Sequence, residues 1–133
     1  MSTAMRPLPP MDAVSRPFWE GLRARTIRLP HCEACGHRWF PPAATCPRCL
    51  SDRIAWRPAS GRGTVWSFTV FHKAYLPGFE IPYNVAVVEL DEGVRLFTNL
   101  VEVPLDAIRV GMPVEAVFED VTDGVTLLKF RPA

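Results

Sequence analysis

The stretch CEACG at residues 32–36 and its counterpart CPRC at residues 46–49 decide how this chain of 133 residues folds. They contain all four cysteines of the sequence, arranged as two C-x2-C pairs with ten residues between the pairs. A turn that presents two thiolates at this spacing supplies half of a tetrahedral four-sulfur site, and a second such turn completes it. The spacing therefore predicts a closed, structural metal site with the ligands Cys32, Cys35, Cys46 and Cys49.

The identity of the metal is less constrained than the ligand set, because thiolates in this geometry favour zinc or iron. Both cysteine turns resemble those of rubredoxin, which holds iron in the same cage. Gly36 matches the glycine that follows the first pair in rubredoxin, whereas Leu50 stands where the second glycine is expected. We expect structural Zn²⁺, with a rubredoxin-like electron carrier as the alternative. Two disulfides would require an oxidising compartment, and the sequence gives no sign of export.

The composition excludes several classes of protein. Lys and Arg number 15 against 14 Asp and Glu, so the formal net charge of +1 gives no overall attraction to nucleic acid or anionic membrane. Fourteen prolines disfavour a helix-rich architecture, because proline breaks helix interiors. There is no apolar run long enough for a transmembrane helix, and the N-terminus lacks a signal-peptide layout. We expect a cytoplasmic location.

Changes in residue composition and hydrophobic pattern along the chain predict three segments. Residues 1–27 are predicted to be a flexible arm and an N-terminal helix, residues 28–58 a zinc ribbon, and residues 59–133 a β-barrel domain. The helix can be capped by Asp12 or Ser15, with Pro17 in its first turn. Its apolar stripe needs a surface to pack on, either the core of this chain or a partner subunit; the stripe consists of Phe18, Trp19, Leu22 and Ile27.

The C-terminal segment reads as five strands with a short helical element between the third and the fourth. The strands are predicted at residues 64–71, 83–90, 94–101, 114–119 and 125–130, and the helical turn at 104–108. This order matches a five-stranded OB barrel. A short strand and turn are also expected at residues 37–42, between the cysteine pairs. The predicted fold is therefore mainly β: an N-terminal helix, a rubredoxin-like zinc ribbon and an OB-fold barrel.

Side chains outside the cysteine turns form no recognisable catalytic set. His31 and His37 flank the first pair and are expected either to contact the cysteine ligands or to be solvated, rather than to bind the metal. His72 is expected to be an ordinary strand-end histidine. We expect solvation to explain the turn carboxylates, which are Asp91, Glu92, Asp120 and Asp123. The barrel aromatics are expected to be mostly core; they are Trp66, Phe68, Phe71 and Phe97. A single-stranded nucleic-acid face is the alternative for them. The apolar loop at 75–82 is typical of a partner or ligand contact.

Taken together, the motifs resemble a known family. They are FWEGL at 18–22, the two cysteine pairs, GRGTVWSFT at 61–69, PY at 82–83, LDEG at 90–93, VGMPV at 110–114 and FRP at 130–132. Over residues 12–132 the chain is similar to the family called domain of unknown function 35, which combines a helical arm, a rubredoxin-like zinc ribbon and an acyl-CoA-associated OB fold.

The resemblance implies a function that the residues alone do not. Family members are small partner subunits of thiolase-like proteins, and some pair with an aldolase or hydratase of steroid side-chain degradation. The chain is then expected to form a hetero-oligomer, to act as scaffold and acyl-CoA channel, and to have no catalytic activity alone. If acyl-CoA binds, the cations expected to contact its phosphates are Arg38, Arg62, His72 and Lys73.

Overall fold

The computed structural model describes residues 12–73, 81–121 and 124–133. Its elements are one helix, α1 (Arg16–Arg23), seven strands and one 3-10 turn (Leu105–Ala107). The strands are β1 (Ile27–Cys32), β2 (Ile54–Ala59), β3 (Arg62–Phe71), β4 (Tyr83–Leu90), β5 (Arg95–Thr98), β6 (Pro113–Asp120) and β7 (Thr126–Pro132). The predicted arm at 1–11, most of the apolar loop and Asp123 lie outside the described residues. In the described part of the chain, no helix combines the length and apolarity needed to cross a bilayer.

The start of α1 confirms the predicted helix start. The Ser15 backbone N–H donates to Asp12 Oδ1 at 2.8 Å, and the Asp12 N–H donates to Ser15 Oγ at 3.2 Å. This reciprocal pair fixes the turn that leads into the helix, although Ser15 makes no side-chain bond to the helical N–H groups themselves. Pro17 lies in the first turn, where the missing N–H is not needed for the helix ladder.

The end of α1 is a chain reversal that the sequence did not reveal. Arg25 takes a φ of 62°, and the Thr26 N–H donates to the Gly21 carbonyl at 2.9 Å, which is the bond of a Schellman motif. A Cβ at Gly21 would lie 2.9 Å from the Thr26 carbonyl oxygen, so only glycine fits there without a shift. Ile27 consequently begins β1, and the expectation that it extends the helical stripe was wrong.

The ribbon is built on an antiparallel pair, β1 and β2, with a register that runs from Ile27 opposite Ala59 to Cys32 opposite Ile54. Both cysteine turns lie in the connection between these two strands. The strand expected at 37–42 is reduced to a single bridge between Arg38 and His31. Pro41 and Pro42 follow it, and neither has an N–H to extend a ladder.

The five remaining strands form one antiparallel sheet in the order β5-β4-β3-β6-β7. The sheet curls until its two edges meet at a parallel bridge between Leu100 and Phe130, where the Val101 N–H donates to the Phe130 carbonyl at 2.8 Å. The 3-10 turn lies between β5 and β6, the third and fourth strands of this sheet in chain order. Strand order, closure and turn together confirm the predicted OB arrangement.

A single core joins α1, the first ribbon strand and the barrel. Phe18 and Leu22 of α1 and Ile27 and Leu29 of β1 are buried with residues of every barrel strand. The barrel members are Val65, Ala86, Val88, Leu90, Val94, Leu96, Leu100, Ile108, Val114 and Phe130. Of the two surfaces considered for the helix, its own chain therefore covers the face that carries Phe18 and Leu22.

The barrel aromatics correct the expectation that they are mostly core. Trp66 is 49% exposed and Phe97 is 80% exposed. Leu96 and Thr98 point inward, so strand alternation turns Phe97 outward. A register shift between Val65 and Ser67 interrupts the same alternation at Trp66. Aromatic composition predicted the strands, but it did not predict which face each ring occupies.

Candidate metal centre and ligand surfaces

The two cysteine turns have the same backbone hydrogen bonds, shifted by 14 positions. In the first, the Gly36 N–H donates to the Cys32 carbonyl at 2.8 Å; in the second, the Leu50 N–H donates to the Cys46 carbonyl at 2.8 Å. The residue after each pair takes a positive φ, 80° at Gly36 and 66° at Leu50. Leu50 thus adopts the conformation for which rubredoxin uses glycine, and the second turn forms without one.

The turns bring all four sulfur atoms within 4.8 Å of one another. Cys32 Sγ lies 3.5 Å from Cys49 Sγ, and Cys35 Sγ lies 3.7 Å from Cys46 Sγ, so these are free thiols and not disulfides. A tetrahedral zinc ion with Zn–S bonds of about 2.3 Å requires sulfur separations of about 3.8 Å. The four cysteines are positioned for such an ion, and neither His31 nor His37 belongs to the cluster.

The ionisation of these thiols shows why a cation suits the site. Burial opposes ionisation of Cys32, but the backbone of Cys35 and the thiol of Cys49 hydrogen-bond to it and lower its pKa to about 7. At Cys49 the Ser51 backbone favours the thiolate, yet the Cys32 thiol and burial together raise the pKa to about 12. Without a cation the crowded sulfurs cannot all ionise, whereas a divalent metal stabilises four thiolates at once.

A small apolar wall covers one side of the sulfur cluster. Trp39 is buried together with Cys32 and Cys46, and its ring stacks on His37 with centroids 5.7 Å apart. On the neighbouring strand, burial lowers the pKa of His31, and the positive charges of Arg57 and Arg38 lower it further. The Glu33 carboxylate opposes this shift only in part, and neither arginine forms an ion pair with a described residue.

The outer sheet face is a second surface, formed by Trp66 and Phe71 of β3, Tyr83 and Val87 of β4, and Phe97 of β5. The register places Ser67, Val87 and Phe97 in one cross-strand row. Phe71 and Tyr83 contact each other with ring centroids 5.2 Å apart. The Arg95 guanidinium lies 4.1 Å from the Trp66 ring centroid and is also bonded to Glu89 at 3.0 Å. Two of these aromatic side chains, Trp66 and Phe97, are exposed, which makes the outer sheet face a candidate interaction surface.

The four cations proposed for acyl-CoA are not brought together. Arg62 begins β3 while His72 and Lys73 follow its end, so about 30 Å of strand separates them. Arg38 lies on the ribbon, bridged to His31. One ligand therefore cannot use all four as a single phosphate site.

Arg62 lines a groove of about 300 Å³ at the contact of ribbon and barrel, here called the junction groove. The groove is bounded by the helix end, by the last pair of the ribbon strands and by β6. Its lining residues are Arg25, Thr26, Ile27, Ala59, Ser60, Arg62, Glu115, Ala116 and Phe118. No pattern in the sequence pointed to it, because its walls come from separate segments of the chain.

Two of the turn carboxylates, those of Asp120 and Glu92, accept hydrogen bonds from other groups of the protein. The expectation that solvation alone explains them was wrong. Asp120 accepts two hydrogen bonds from the Arg25 guanidinium, at 2.9 and 2.6 Å, and one from the Thr126 hydroxyl at 2.8 Å. The bond from Arg25 is the main reason that the pKa of Asp120 falls to about 2. Glu92 accepts from the Ser60 N–H at 2.7 Å and so ties the β4–β5 turn to the link between ribbon and barrel.

These observations define a zinc-ribbon OB-fold protein, and the family comparisons agree. The family model described as "ChsH2, rubredoxin-like zinc ribbon domain" matches residues 19–55, and "ChsH2, C-terminal OB-fold domain" matches residues 56–119. A DUF35 domain-containing scaffold protein from Methanocaldococcus jannaschii is 37% identical over 86% of this chain and 87% of its own length. The chain belongs to the ChsH2/DUF35 family.

Other relatives are longer proteins. The chain is 40% identical to a probable enoyl-CoA hydratase alpha subunit of Thermomonospora curvata, over 98% of this chain and 41% of that protein. It is 37% identical to the 3-oxo-4,17-pregnadiene-20-carboxyl-CoA hydratase alpha subunit of Mycobacterium tuberculosis, over 84% of this chain and 38% of that one. The chain therefore spans about two fifths of the length of these two relatives.

Two solved structures resemble the fold. A chain of the complex named "Ltp2-ChsH2(DUF35) aldolase" superimposes with a TM-score of 0.87 and 38% identity, covering 94% of this chain and 98% of that one. A DUF35-family protein of unknown function from Sulfolobus solfataricus has a TM-score of 0.65 at 16% identity, covering 92% of this chain and 87% of its own. The second shows a shared fold only.

Proposed function

We propose that this chain is a zinc-bearing accessory subunit of a thiolase-like complex that processes acyl-CoA thioesters. The observation that carries the proposal is the similarity, over nearly its full length, to a DUF35 chain solved as part of an aldolase complex. Other relatives are named as subunits of CoA hydratases and of a benzoylsuccinyl-CoA thiolase. These names are consistent with a division of labour in which the partner catalyses the reaction. This chain then acts as a scaffold and forms part of an acyl-CoA channel.

Within this proposal each segment has a task. Cys32, Cys35, Cys46 and Cys49 hold one Zn²⁺, which supplies folding energy to residues 28–58 and no reactive position. In the N-terminal segment 1–27, α1 joins the ribbon strand β1 to the barrel strands β6 and β7, and the C-terminal segment 59–133 presents the barrel to the partner. The finer assignment is an aldolase or hydratase of steroid side-chain degradation; the similarity to the ChsH2 chain of the aldolase complex and to the pregnadiene-carboxyl-CoA hydratase supports it.

We assign the outer sheet face to the thiolase-like partner. Contiguous exposed apolar patches can mark interaction sites, and aromatic anchors buried on binding dominate interface energies. Phe97 is 80% exposed in the cross-strand row and is the expected anchor. The same face is the usual ligand surface of nucleic-acid-binding OB folds. Its cation Arg95 is already bonded to Glu89, which argues against a backbone-binding groove for nucleic acid.

Co-expression with a thiolase-like protein from the same host tests the proposal. We expect the two chains to co-purify, and the Phe97→Ser substitution to weaken the complex by about thirtyfold or more. Leu50→Ser is the matched control, because Leu50 is 75% exposed but lies on the second cysteine turn, away from the sheet. Isothermal titration calorimetry and the turnover of the partner are the readouts. If the two chains do not associate, the proposal is wrong. If the Phe97→Ser and Leu50→Ser variants bind the partner with equal affinity, the outer sheet face is not the contact surface.

A further inference from the structure

The ribbon is cationic, although the chain as a whole is close to neutral. Residues 28–58 contain five arginines, no lysine and only two carboxylates, those of Glu33 and Asp52. Residues 59–133 contain six Lys and Arg side chains against ten Asp and Glu. The small net charge of the chain is therefore the sum of a positive ribbon and a negative barrel. Charge asymmetry between two parts of a chain indicates a charged binding partner for one of them.

Two of the ribbon arginines lie on the same side of the β1–β2 pair. His31 is bridged to Arg38 on one edge and paired with Ala55 on the other, and cross-strand partners place their side chains on one side. Arg57 is two residues beyond Ala55, so its side chain lies on that same side, about 7 Å further along β2. Arg38, His31 and Arg57 together form this surface, here called the basic face.

Both arginines of the basic face are exposed. Neither forms an ion pair or a side-chain hydrogen bond with a described residue. The charges of Arg57 and Arg38 each act on His31 more strongly than the Glu33 carboxylate does. Leu29, which stands opposite Arg57, is buried in the shared core, so the basic face begins where the ribbon leaves that core. The fold therefore leaves two guanidinium groups available to an anionic partner.

The chemistry of the basic face favours protein carboxylates over a nucleic-acid backbone. A guanidinium donates two parallel hydrogen bonds to one carboxylate, and arginine is enriched in protein interfaces. Single-stranded nucleic acid gains affinity with each phosphate that is neutralised, and it needs a longer cationic track than two arginines. The adjoining barrel, with ten acidic against six basic side chains, would repel a polyanion that extends along it. A protein surface with a few acidic side chains meets neither obstacle.

We infer that the basic face docks an acidic surface of the thiolase-like partner, whose carboxylates contact Arg38 and Arg57. The choice of that partner rests on the proposed function. Arg38 then has a protein ligand in place of the acyl-CoA phosphates that the sequence suggested. The basic face shares no residue with the outer sheet face. Charged pairs at an interface mainly raise the association rate, whereas aromatic anchors buried on binding hold the complex together. The two surfaces therefore predict different kinetic effects.

Association kinetics of the zinc-loaded chain with the thiolase-like protein, measured by surface plasmon resonance, test the inference. We expect Arg38→Gln and Arg57→Gln each to slow association about threefold at low salt, with little change in the dissociation rate. The effect should shrink at about 1 M salt, where the Debye length is about 3 Å. Arg57→Lys keeps the charge and should associate at the parent rate. Phe97→Ser should mainly speed dissociation.

Arg48→Gln is the matched control, because it removes the same charge at an exposed position on the second cysteine turn, outside the basic face. Zinc content and melting temperature show whether each variant is folded. If Arg38→Gln and Arg57→Gln associate as fast as Arg48→Gln does, the inference is wrong and the proposed function stands. If the parent chain does not bind the thiolase-like protein, both are wrong. If the isolated chain binds a single-stranded oligonucleotide and Arg38→Gln weakens that binding, the face binds nucleic acid and the inferred partner is wrong.

Discussion

The ribbon and the barrel are both small β structures, but different forces hold them. The ribbon's own buried cluster consists of Cys32, Trp39 and Cys46, with only Ile54 packed against it among the described residues. The barrel shares a core of fourteen buried residues with α1 and β1. At about 1.5–3 kcal/mol for each large apolar side chain, burial can stabilise the barrel, whereas it cannot stabilise the ribbon. We therefore expect the ribbon to need a metal ion, whereas apolar packing suffices for the barrel.

The largest effect is expected from the removal of one cysteine sulfur, which should affect the ribbon. Cys49→Ser leaves three thiolates, and the loss is expected to unfold the ribbon because metal binding and folding are coupled, with about 10–16 kcal/mol of apparent binding energy at stake. Zinc stoichiometry and near-UV circular dichroism, reported by Trp39, are the measurements. A soluble variant that lacks metal yet keeps the native dichroism would show that the ribbon folds on packing alone.

A cavity in the barrel should have the opposite effect: the free energy of unfolding should fall, while zinc binding by the ribbon is retained. Phe130 is fully buried at the closure of the sheet, and Phe130→Ala is expected to lower the free energy of unfolding by about 3–5 kcal/mol. Folded molecules should retain one zinc per chain, because no sulfur is touched. Thermal unfolding with parallel zinc analysis checks both points, and Phe130→Leu should lose less stability. Zinc loss from the folded variant would mean that ribbon and barrel are not separately stabilised.

The two cysteine turns offer a finer test inside the ribbon. Leu50 takes a left-handed φ of 66° with its side chain 75% exposed, so Leu50→Gly should relieve backbone strain of about 1 kcal/mol at little loss of burial. Gly36→Ala places a Cβ in open space at a φ of 80° and should lose about 1 kcal/mol. Resistance of zinc to a chelator should rise in the first variant and fall in the second. A change in the same direction for both would contradict the equivalence of the turns.

The smallest effect is expected at the Arg25–Asp120 pair, which ties the helix end to the barrel. The hydrogen bond from the Arg25 guanidinium lowers the pKa of Asp120 to about 2. The pKa of an aspartate in an unfolded chain is about 3.9. A depressed pKa stabilises the fold above the unfolded value, and this stability is lost as the pH falls from about 4 to about 2. Asp120→Asn should therefore be less stable than the parent at pH 6, with the difference vanishing near pH 2 in chemical unfolding curves.

Asp106→Asn is the control for that measurement, since Asp106 is exposed on the 3-10 turn and its carboxylate has no bond to a described residue. Acid also releases zinc from both proteins, so the comparison is the difference between variants at each pH. A difference that persists unchanged at pH 2 would show that charge on Asp120 is not its cause.

The features that the sequence predicted correctly rest on short-range patterns. The convergence of the four cysteine sulfurs follows from a three-residue spacing that any such turn must satisfy, and strand alternation predicted the order of the barrel elements. The exposure of Trp66 and Phe97 was missed, because an aromatic residue type predicts a strand but does not determine which face of the sheet its side chain occupies. The strand expected at 37–42 failed for a local reason that was visible, namely Pro41 and Pro42.

By itself, the sequence determined the cluster of four sulfur atoms, the two turns that carry them and the succession of strands, because neighbouring residues specify these features. Only the tertiary structure decided that Arg25 meets Asp120, 95 residues away, and that Arg62 lines a groove between ribbon and barrel. Such contacts depend on how distant segments pack, and no local spacing encodes them. For that reason the four-cysteine cluster could be predicted from the sequence, whereas the outer sheet face and the junction groove could not.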